Sequence, residues 1–222
     1  HNEFYGPDGV GATFIEKRFP FLISLKYRLR DLRLTKLVSS WIYGNTPPPA
    51  DMNLMKQVSE GSEVLFDSDE AADIFKRFES NLDAIVDVWK SASVPIIASD
   101  VTSNLMFPPF VSPDVHLQAM RKVNDNFTAG KFTDALNLLH AMRQNDSTNA
   151  LVEFWRGKTL RAIGDFNSAK AALVQARDLD LLKFRAPRET NEVIRRVCAE
   201  RNVQLVSSES ALSALSPHGI TG

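Results

Sequence analysis

The residue types that most often carry out catalysis are sparse in this chain of 222 residues. It contains one cysteine, Cys198, and four histidines, His1, His116, His140 and His218. No His-Glu-x-x-His, paired-cysteine or phosphate-loop pattern occurs, so we expect neither a metal site nor a cofactor. A single cysteine also excludes an internal disulfide. We therefore expect His116 and His140 to be ordinary helix residues and Cys198 to be a small buried side chain.

The strongest pattern in the sequence is a repeat with a period of 34 residues, in which GKFTDA at 130–135 recurs as GDFNSA at 164–169. A glycine, an aromatic and an alanine in phase at this period resemble the helix–turn–helix unit of tetratricopeptide proteins. Each glycine can end a helix in the left-handed conformation, and each alanine allows the next helix to pack closely. The alternative is a plain antiparallel helical hairpin with accidental similarity.

Within the second unit, the positions at which this repeat packs its helices hold small or apolar residues: Gly157, Leu160, Ala169, Leu173 and Ala176. Leu139 and Leu173 lie four residues after the alanines, on the same helix face. Glu153 and Arg156 stand where an aromatic residue and a leucine are usual, so the match departs from the family pattern there.

Around the repeat, the sequence predicts a helix-rich α/β fold. Ser68 caps a helix over 69–91, and acidic residues occupy its first turn, where the helix dipole favours them. We expect one apolar stripe on this helix: Ala71, Phe75, Phe78, Leu82, Ile85 and Trp89. The short apolar run Val94–Ala98 predicts a buried parallel strand, and Val203–Val206 predicts a second short strand of the same sheet.

A helical block is predicted between these strands. We expect helices over 114–128, 131–144, 148–163 and 166–180, the first capped by Ser112-Pro113-Asp114. Another helix is expected over 190–201, and one or two helical turns over 209–215. The stretch 100–112 is a loop at the carboxyl end of the first strand, the edge at which open α/β sheets bind ligands.

The first third of the chain is less informative. A loop over 1–11 precedes Phe19–Tyr43, whose spacing suits one or two amphipathic helices with a basic outer face. A solvated basic face is the preferred interpretation, and a membrane-surface helix is the alternative. No run of 18 apolar residues occurs, so no membrane span is predicted. The net charge of -1 argues against a general electrostatic grip on nucleic acid.

Three blocks of the sequence, in order, resemble a bacterial branch of the SGNH or GDSL-type esterases and lipases that carries tetratricopeptide repeats. The first is HNEFYG at 1–6, and the second is TSNL at 102–105 with PPF at 108–110. The third is FRAP at 184–187, followed by a helix, a strand and SPHGITG at 216–222. The resemblance implies a partial SGNH-type parallel sheet at 1–112, a helical insertion at 113–182 and a return to the α/β domain at 183–222.

The resemblance also implies which side chains act. Asn2 would be the oxyanion-hole donor, Glu3 would support its loop, and Asn104 and Arg185 would line the substrate cleft. The alternatives are structural: Asn2 and Asn104 as turn residues, and Arg185 as the partner of an acid. We expect the loops of Asn2 and Asn104 to converge at one sheet edge, with the helical block as a separate lobe.

In this family a serine attacks an ester carbonyl and a histidine transfers the proton. The serine block of the family would precede His1 and its Asp-x-x-His block would follow Gly222, so residues 1–222 alone are expected to be inactive. The implied partners are an ester-bearing substrate and a protein bound by the helical block, in an extracytoplasmic or periplasmic location. An acyltransferase with the same machinery is one alternative, and a non-enzymatic scaffold that binds a peptide is the other.

Overall fold

A computed structural model describes residues 63–113 and 117–222. Internal contacts divide the chain into His1–Glu63 and Val64–Gly222, and the second unit is described here. In chain order, its elements are α1 (Asp69–Ser91), β1 (Ile97–Ser99), α2 (Leu117–Thr128), α3 (Phe132–Asn145), α4 (Ala150–Ala162), α5 (Phe166–Leu179), α6 (Arg188–Glu200), β2 (Gln204–Val206), α7 (Ser208–Leu215) and a 3₁₀ helix (Pro217–Gly219). The predictions for Asn2, Glu3 and Phe19–Tyr43 lie outside the described residues.

The described unit is helix-rich and contains a small parallel sheet. β1 and β2 pair in parallel, with Ile97 opposite Gln204 and Ala98 opposite Leu205, so the two predicted strands do share one sheet. The prediction that β1 is buried on both faces is wrong, because Ile97 is 66% exposed. Ala98 and Leu205 face a core that α1 and α6 complete. The other face of the sheet is open in the described part of the chain, although parallel strands are ordinarily covered on both faces.

Helix α1 begins where the sequence predicts, because the Ser68 hydroxyl accepts a hydrogen bond of 3.1 Å from the N–H of Ala71. Its predicted apolar stripe is correct over the first turns and wrong at the end. Ile85 and Trp89 are about half exposed, and Val86 is buried instead against α6. A stripe with alternating steps of three and four residues drifts from the true contact line of a 3.6-residue helix.

The helical block has the predicted elements. Helices α3, α4 and α5 begin and end within two residues of the predicted bounds, and the described part of α2 begins at Leu117. Gly130 and Gly164 have φ angles of +72° and +88°, so both glycines end a helix in the left-handed region, as predicted. The residues at equivalent positions after these turns are fully buried: Ala135, Leu139, Ala169 and Leu173.

The contact between α4 and α5 is close enough to require glycine at position 157. A Cβ atom there would lie 2.6 Å from the Cγ of Leu173 and 3.1 Å from the carbonyl oxygen of Ala169. Glu153, which replaces the usual aromatic, is 1% exposed. The Nε atoms of Arg143 and Arg156 lie 2.5 and 2.9 Å from its carboxylate oxygens, so this buried charge is neutralised by two arginines.

The predicted cap of α2 at Ser112-Pro113-Asp114 falls partly outside the described residues, so it stays a prediction. The Ser112 hydroxyl accepts a hydrogen bond from the N–H of Leu151 and donates one to Asn149 Oδ1. Asn149 itself accepts from the N–H of Val152. The loop after β1 is therefore attached to the first turn of α4, where free N–H groups need acceptors.

The expectation that the helical block forms a separate lobe is also wrong. Leu105 from the loop after β1 and Ile220 from the end of the chain are buried in the same core as Leu160 and Leu173 of the helical block. Both segments are apolar at these points, and α5 offers them a shared surface. Among residues 63–113 and 117–222, no helix has the length and apolarity needed to cross a membrane.

Two smaller predictions concern single side chains. His140 is exposed, with its Nε2 atom 3.1 Å from Gln144 Nε2, whereas His116 lies outside the described residues. Cys198 is buried in the core beneath the sheet, and this burial raises the pKa of its thiol. Both described residues therefore have the ordinary surroundings that the sequence predicts.

Candidate functional site

The carboxyl ends of the two strands meet at a buried carboxylate, Asp100, which directly follows β1. It accepts hydrogen bonds of 2.9 Å from the Ser207 hydroxyl and from the N–H of Glu209, and one of 2.8 Å from Arg195 Nη2. Burial alone would raise the pKa of Asp100, but these hydrogen bonds and the Arg195 charge outweigh it and hold the pKa below its ordinary value. Asp100 is therefore ionised, and its hydrogen bonds connect the end of β1 to the residues that follow β2.

The loop after Asp100 is held from two sides. The side-chain amide of Asn191 both donates to the carbonyl of Val101 and accepts from its N–H, each at 2.8 Å. On the other side, the Thr221 hydroxyl donates to the carbonyl of Ser103 at 2.7 Å, and the N–H of Leu105 donates to the carbonyl of Thr221 at 2.8 Å. Residues at the end of the chain thus run along the loop that the sequence predicts to be functional.

Asn104, a predicted substrate-binding residue, lies on this loop and forms a turn. Its side-chain oxygen accepts a hydrogen bond of 2.8 Å from the N–H of Met106, which is the geometry of an Asx turn. The same oxygen and Met106 Cβ lie against Gly222, where a Cβ atom would collide with them. The carbonyl of the Asn104 side chain is thereby occupied, and because the residue is exposed, its NH₂ group is the part that could contact a ligand.

Arg185, the second predicted substrate-binding residue, lies beneath the same loop rather than in an open cleft. Its Nη1 donates to the carbonyls of Asn104 at 3.2 Å and Phe107 at 2.7 Å, and its Nη2 donates to Asp180 at 3.1 Å. The side chain is 10% exposed, and burial lowers the pKa of its guanidinium although Asp180 counteracts this. Its charge is neutralised by the acid, so the structural alternative describes its surroundings best.

The acid in this pair, Asp180, also binds the backbone at the end of the loop. One carboxylate oxygen accepts from the N–H groups of Val111 and Leu182 at 3.1 and 3.3 Å. The other accepts from the N–H of Phe110 at 2.9 Å, besides the contact with Arg185. Asp180 is 1% exposed, so four donors depend on one buried carboxylate.

A crevice of about 330 Å³ opens beside this loop. Its lining combines loop residues with side chains from α5, α6, α7 and the end of the chain. Its lining includes hydroxyl-bearing and charged side chains: Thr102, Lys170, Arg177, Arg195, Glu209 and Ser213. Sequence reasoning identified the edge and the loop but none of the charged side chains, because they come from three separate helices and form no local motif.

A serine and a lysine approach each other in this crevice, yet they do not form an activated nucleophile. Lys170 Nζ lies 2.8 Å from Ser213 Oγ, and Ser213 Oγ lies 2.9 Å from the carbonyl oxygen of Gly219. The hydroxyl proton is donated to the carbonyl, so the lysine must be the donor to the serine oxygen. A general base would need the opposite arrangement. The pair therefore attaches the end of the chain to α5.

No group of three or more histidine, cysteine, aspartate or glutamate side chains within the described ranges is arranged to hold a metal ion. The described part of the crevice offers hydroxyl, ammonium and guanidinium groups and one carboxylate, that of Glu209. Comparisons with models of protein families, with curated proteins and with solved structures found nothing that matches this chain.

Proposed function

We propose that this chain is part of an SGNH-type serine hydrolase that acts on ester bonds, with the helical block as a tetratricopeptide-like module. One observation carries the proposal: blocks that resemble the family but lie far apart in sequence meet at one loop. Arg185 of the FRAP block contacts Asn104 and Phe107, about 80 residues away. Thr221 of the last block contacts Ser103, which is 118 residues away.

In the proposed reaction, the serine hydroxyl attacks the ester carbonyl while a histidine accepts its proton. The histidine then returns the proton to the departing alcohol, and water hydrolyses the acyl-enzyme by the same route. The side-chain amide of Asn2 and backbone N–H groups would hold the oxyanion. By the resemblance, the serine and the histidine lie outside residues 1–222. The described residues contribute the strand-end loop, which Asp180 and Arg185 hold in place.

The test is ester hydrolysis by the protein translated from the complete gene, with short-chain p-nitrophenyl esters as substrates. We expect Asn2→Ala to lower kcat by about 10²–10³-fold with little change in KM, because oxyanion contacts strengthen in the transition state. Asn137→Ala, at an exposed position on α3, is the matched control and should turn over normally. Residues 1–222 alone should be inactive.

Wild-type kcat in Asn2→Ala would refute the role of this amide. Turnover by residues 1–222 that a substitution within them abolishes would refute the assignment of the serine and histidine to other segments. If the acyl group reaches an acceptor other than water, the acyltransferase variant of the same machinery is the correct activity.

A second function, a non-enzymatic scaffold for a peptide, is favoured by the helical block alone. Its turns at Gly130 and Gly164 and its buried alanines and leucines recur at the same positions of two successive helix pairs. Such pairs present concave surfaces to peptides in repeat proteins. A gene product without esterase activity that binds a peptide through α2–α5 would establish this function instead.

A further inference from the structure

Among the described residues that line the crevice at the strand ends, Lys170 is a cation with no acid within ion-pair distance. We propose that this crevice binds a small molecule bearing a single carboxylate, and that Lys170 is the principal contact for that carboxylate. The inference is independent of ester hydrolysis, because it rests on the charges, hydrogen bonds and volume of the crevice.

The two arginines of the crevice already have acidic partners. Arg177 Nη2 lies 2.8 Å from Asp178 Oδ1, and Arg195 Nη2 lies 2.8 Å from Asp100 Oδ2. Glu209 lies between them, with its carboxylate oxygens 2.6 Å from Arg195 Nη2 and 3.9 Å from Arg177 Nη1. The guanidinium groups therefore shape the wall of the crevice but carry little uncompensated charge.

Lys170 differs from both arginines. Its ammonium donates to the Ser213 hydroxyl and has no carboxylate within ion-pair distance in the described part of the chain. One of its three N–H donors is used in this way, so two remain for a ligand. In the same lining, the Thr102 hydroxyl is buried and has no hydrogen-bond partner among the described residues. A buried hydroxyl in this state gains from a ligand that can pair with it.

The surrounding charges favour a monoanion over other ligands. A cation would be repelled by the unpaired ammonium of Lys170. A dianion such as phosphate would bring a second negative charge close to Glu209, which lines the same crevice. A carboxylate supplies one charge and two acceptor oxygens, which suit an ammonium group and a hydroxyl of the same lining.

The volume limits the size of the ligand. The crevice has a volume of about 330 Å³, which is at the lower end of the roughly 300–1,000 Å³ that pockets for drug-sized ligands span. A short carboxylic acid with a hydroxyl group fits this volume and can use the hydroxyl-rich wall. L-Lactate and acetate are therefore suitable probes, with inorganic phosphate and choline as the dianionic and cationic comparisons.

The first experiment maps the binding of these probes to residues 1–222 by ¹H–¹⁵N NMR at constant ionic strength, balanced with sodium chloride. We expect L-lactate to shift the amide signals of Ser103, Ser213 and Gly219 saturably, phosphate to bind more weakly, and choline to cause no shift. An absence of saturable shifts with either carboxylate, or shifts confined to residues elsewhere, would overturn the proposal. Tighter binding of phosphate than of lactate would overturn the carboxylate assignment.

The second experiment compares variants by the same titration. Lys170→Met should weaken lactate binding by about tenfold or more, since a hydrogen-bonded charge is lost. Lys170→Arg, which keeps the charge, should retain most of the affinity. Lys122→Met, an exposed lysine on α2, is the matched control and should bind as the wild type does. Equal affinity in Lys170→Met and wild type would refute the proposal, and if Lys170→Met does not fold, the wild-type map decides alone.

Discussion

Two regions of this molecule are held together by different forces. Between α4 and α5, the contact is apolar and close: Gly157 leaves room for Leu173, and the alanines nearby are fully buried. Around the loop after β1, buried carboxylates organise the chain, with Asp180 accepting from three backbone N–H groups and from Arg185. The first region depends on shape, and the second depends on charges that satisfy one another.

This difference has an energetic consequence. An apolar contact loses stability roughly in proportion to the area or volume that a substitution changes. A buried polar centre behaves otherwise, because removing one member leaves the remaining charges and N–H groups without partners. Substitutions should therefore lower the free energy of unfolding most at the polar centre that holds the loop.

The largest expected effect is at Asp180. Asp180→Ala leaves the buried guanidinium of Arg185 without its acid and frees the N–H groups of Phe110 and Val111. Breaking a buried pair in this way costs about 3–5 kcal/mol of unfolding free energy. Chemical denaturation should show this loss, while Asp125→Ala, at an exposed position on α2, should change stability by no more than about 0.5 kcal/mol. Equal midpoints for the two variants would contradict a polar centre.

The next effect is a pH dependence that belongs to the same polar region. Lys183 is 3% exposed, and its Nζ donates to the carbonyls of Asp178 and Asp180. Burial lowers the pKa of Lys183 from 10.5 to about 8, although Asp180, Asp178 and Asp67 act in the opposite direction. Between pH 8 and pH 10.5, the folded state binds fewer protons than the unfolded state, so the free energy of unfolding must rise with pH.

Between pH 8 and pH 10.5, wild-type unfolding free energy should therefore rise by about 3 kcal/mol relative to Lys183→Met, at roughly 1.36 kcal/mol per pKa unit. The stability that Lys183 contributes is complete above pH 10.5 and is lost as the pH falls through about 8. Parallel denaturation curves over this range measure the difference, which removes the titration of other groups. A difference that does not vary with pH would show that Lys183 titrates normally.

The two regions also differ in how far the sequence predicts them. The helical block can be predicted from local sequence, because the glycine turns and the 34-residue period are visible there. The loop region does not, since Lys170 meets Ser213 across 43 residues and Asp180 meets Phe110 across 70. Contacts of that kind leave no periodic trace in a single sequence.

Asn104 and Arg185 illustrate the limit for the candidate site. The resemblance brings both residues to one edge of the sheet, and the structure places them in contact through the Asn104 carbonyl. Their chemistry was less predictable: Asn104 forms a turn with Met106, and Arg185 pairs with Asp180. A sequence pattern can indicate which residue lies at a given position of the fold. The hydrogen-bond partners of that residue depend on which buried acids lie nearby, and the pattern does not contain them.

The smallest of these effects tests the apolar region. Ala169 is fully buried at the contact between α5 and α4, where its carbonyl lies close to Gly157. Ala169→Leu adds three carbons to a fully buried site, and protein interiors are closely packed, so the helices must separate or side chains must leave their preferred rotamers. We expect a loss of about 1–3 kcal/mol by chemical denaturation. Ala141→Leu makes the same change at an exposed position of α3 and should be close to neutral.

If Ala169→Leu is also neutral, the helices yield to added volume and shape does not hold this contact. If it exceeds the loss in Asp180→Ala, the apolar contact is the more sensitive region, and the order of the two regions is reversed.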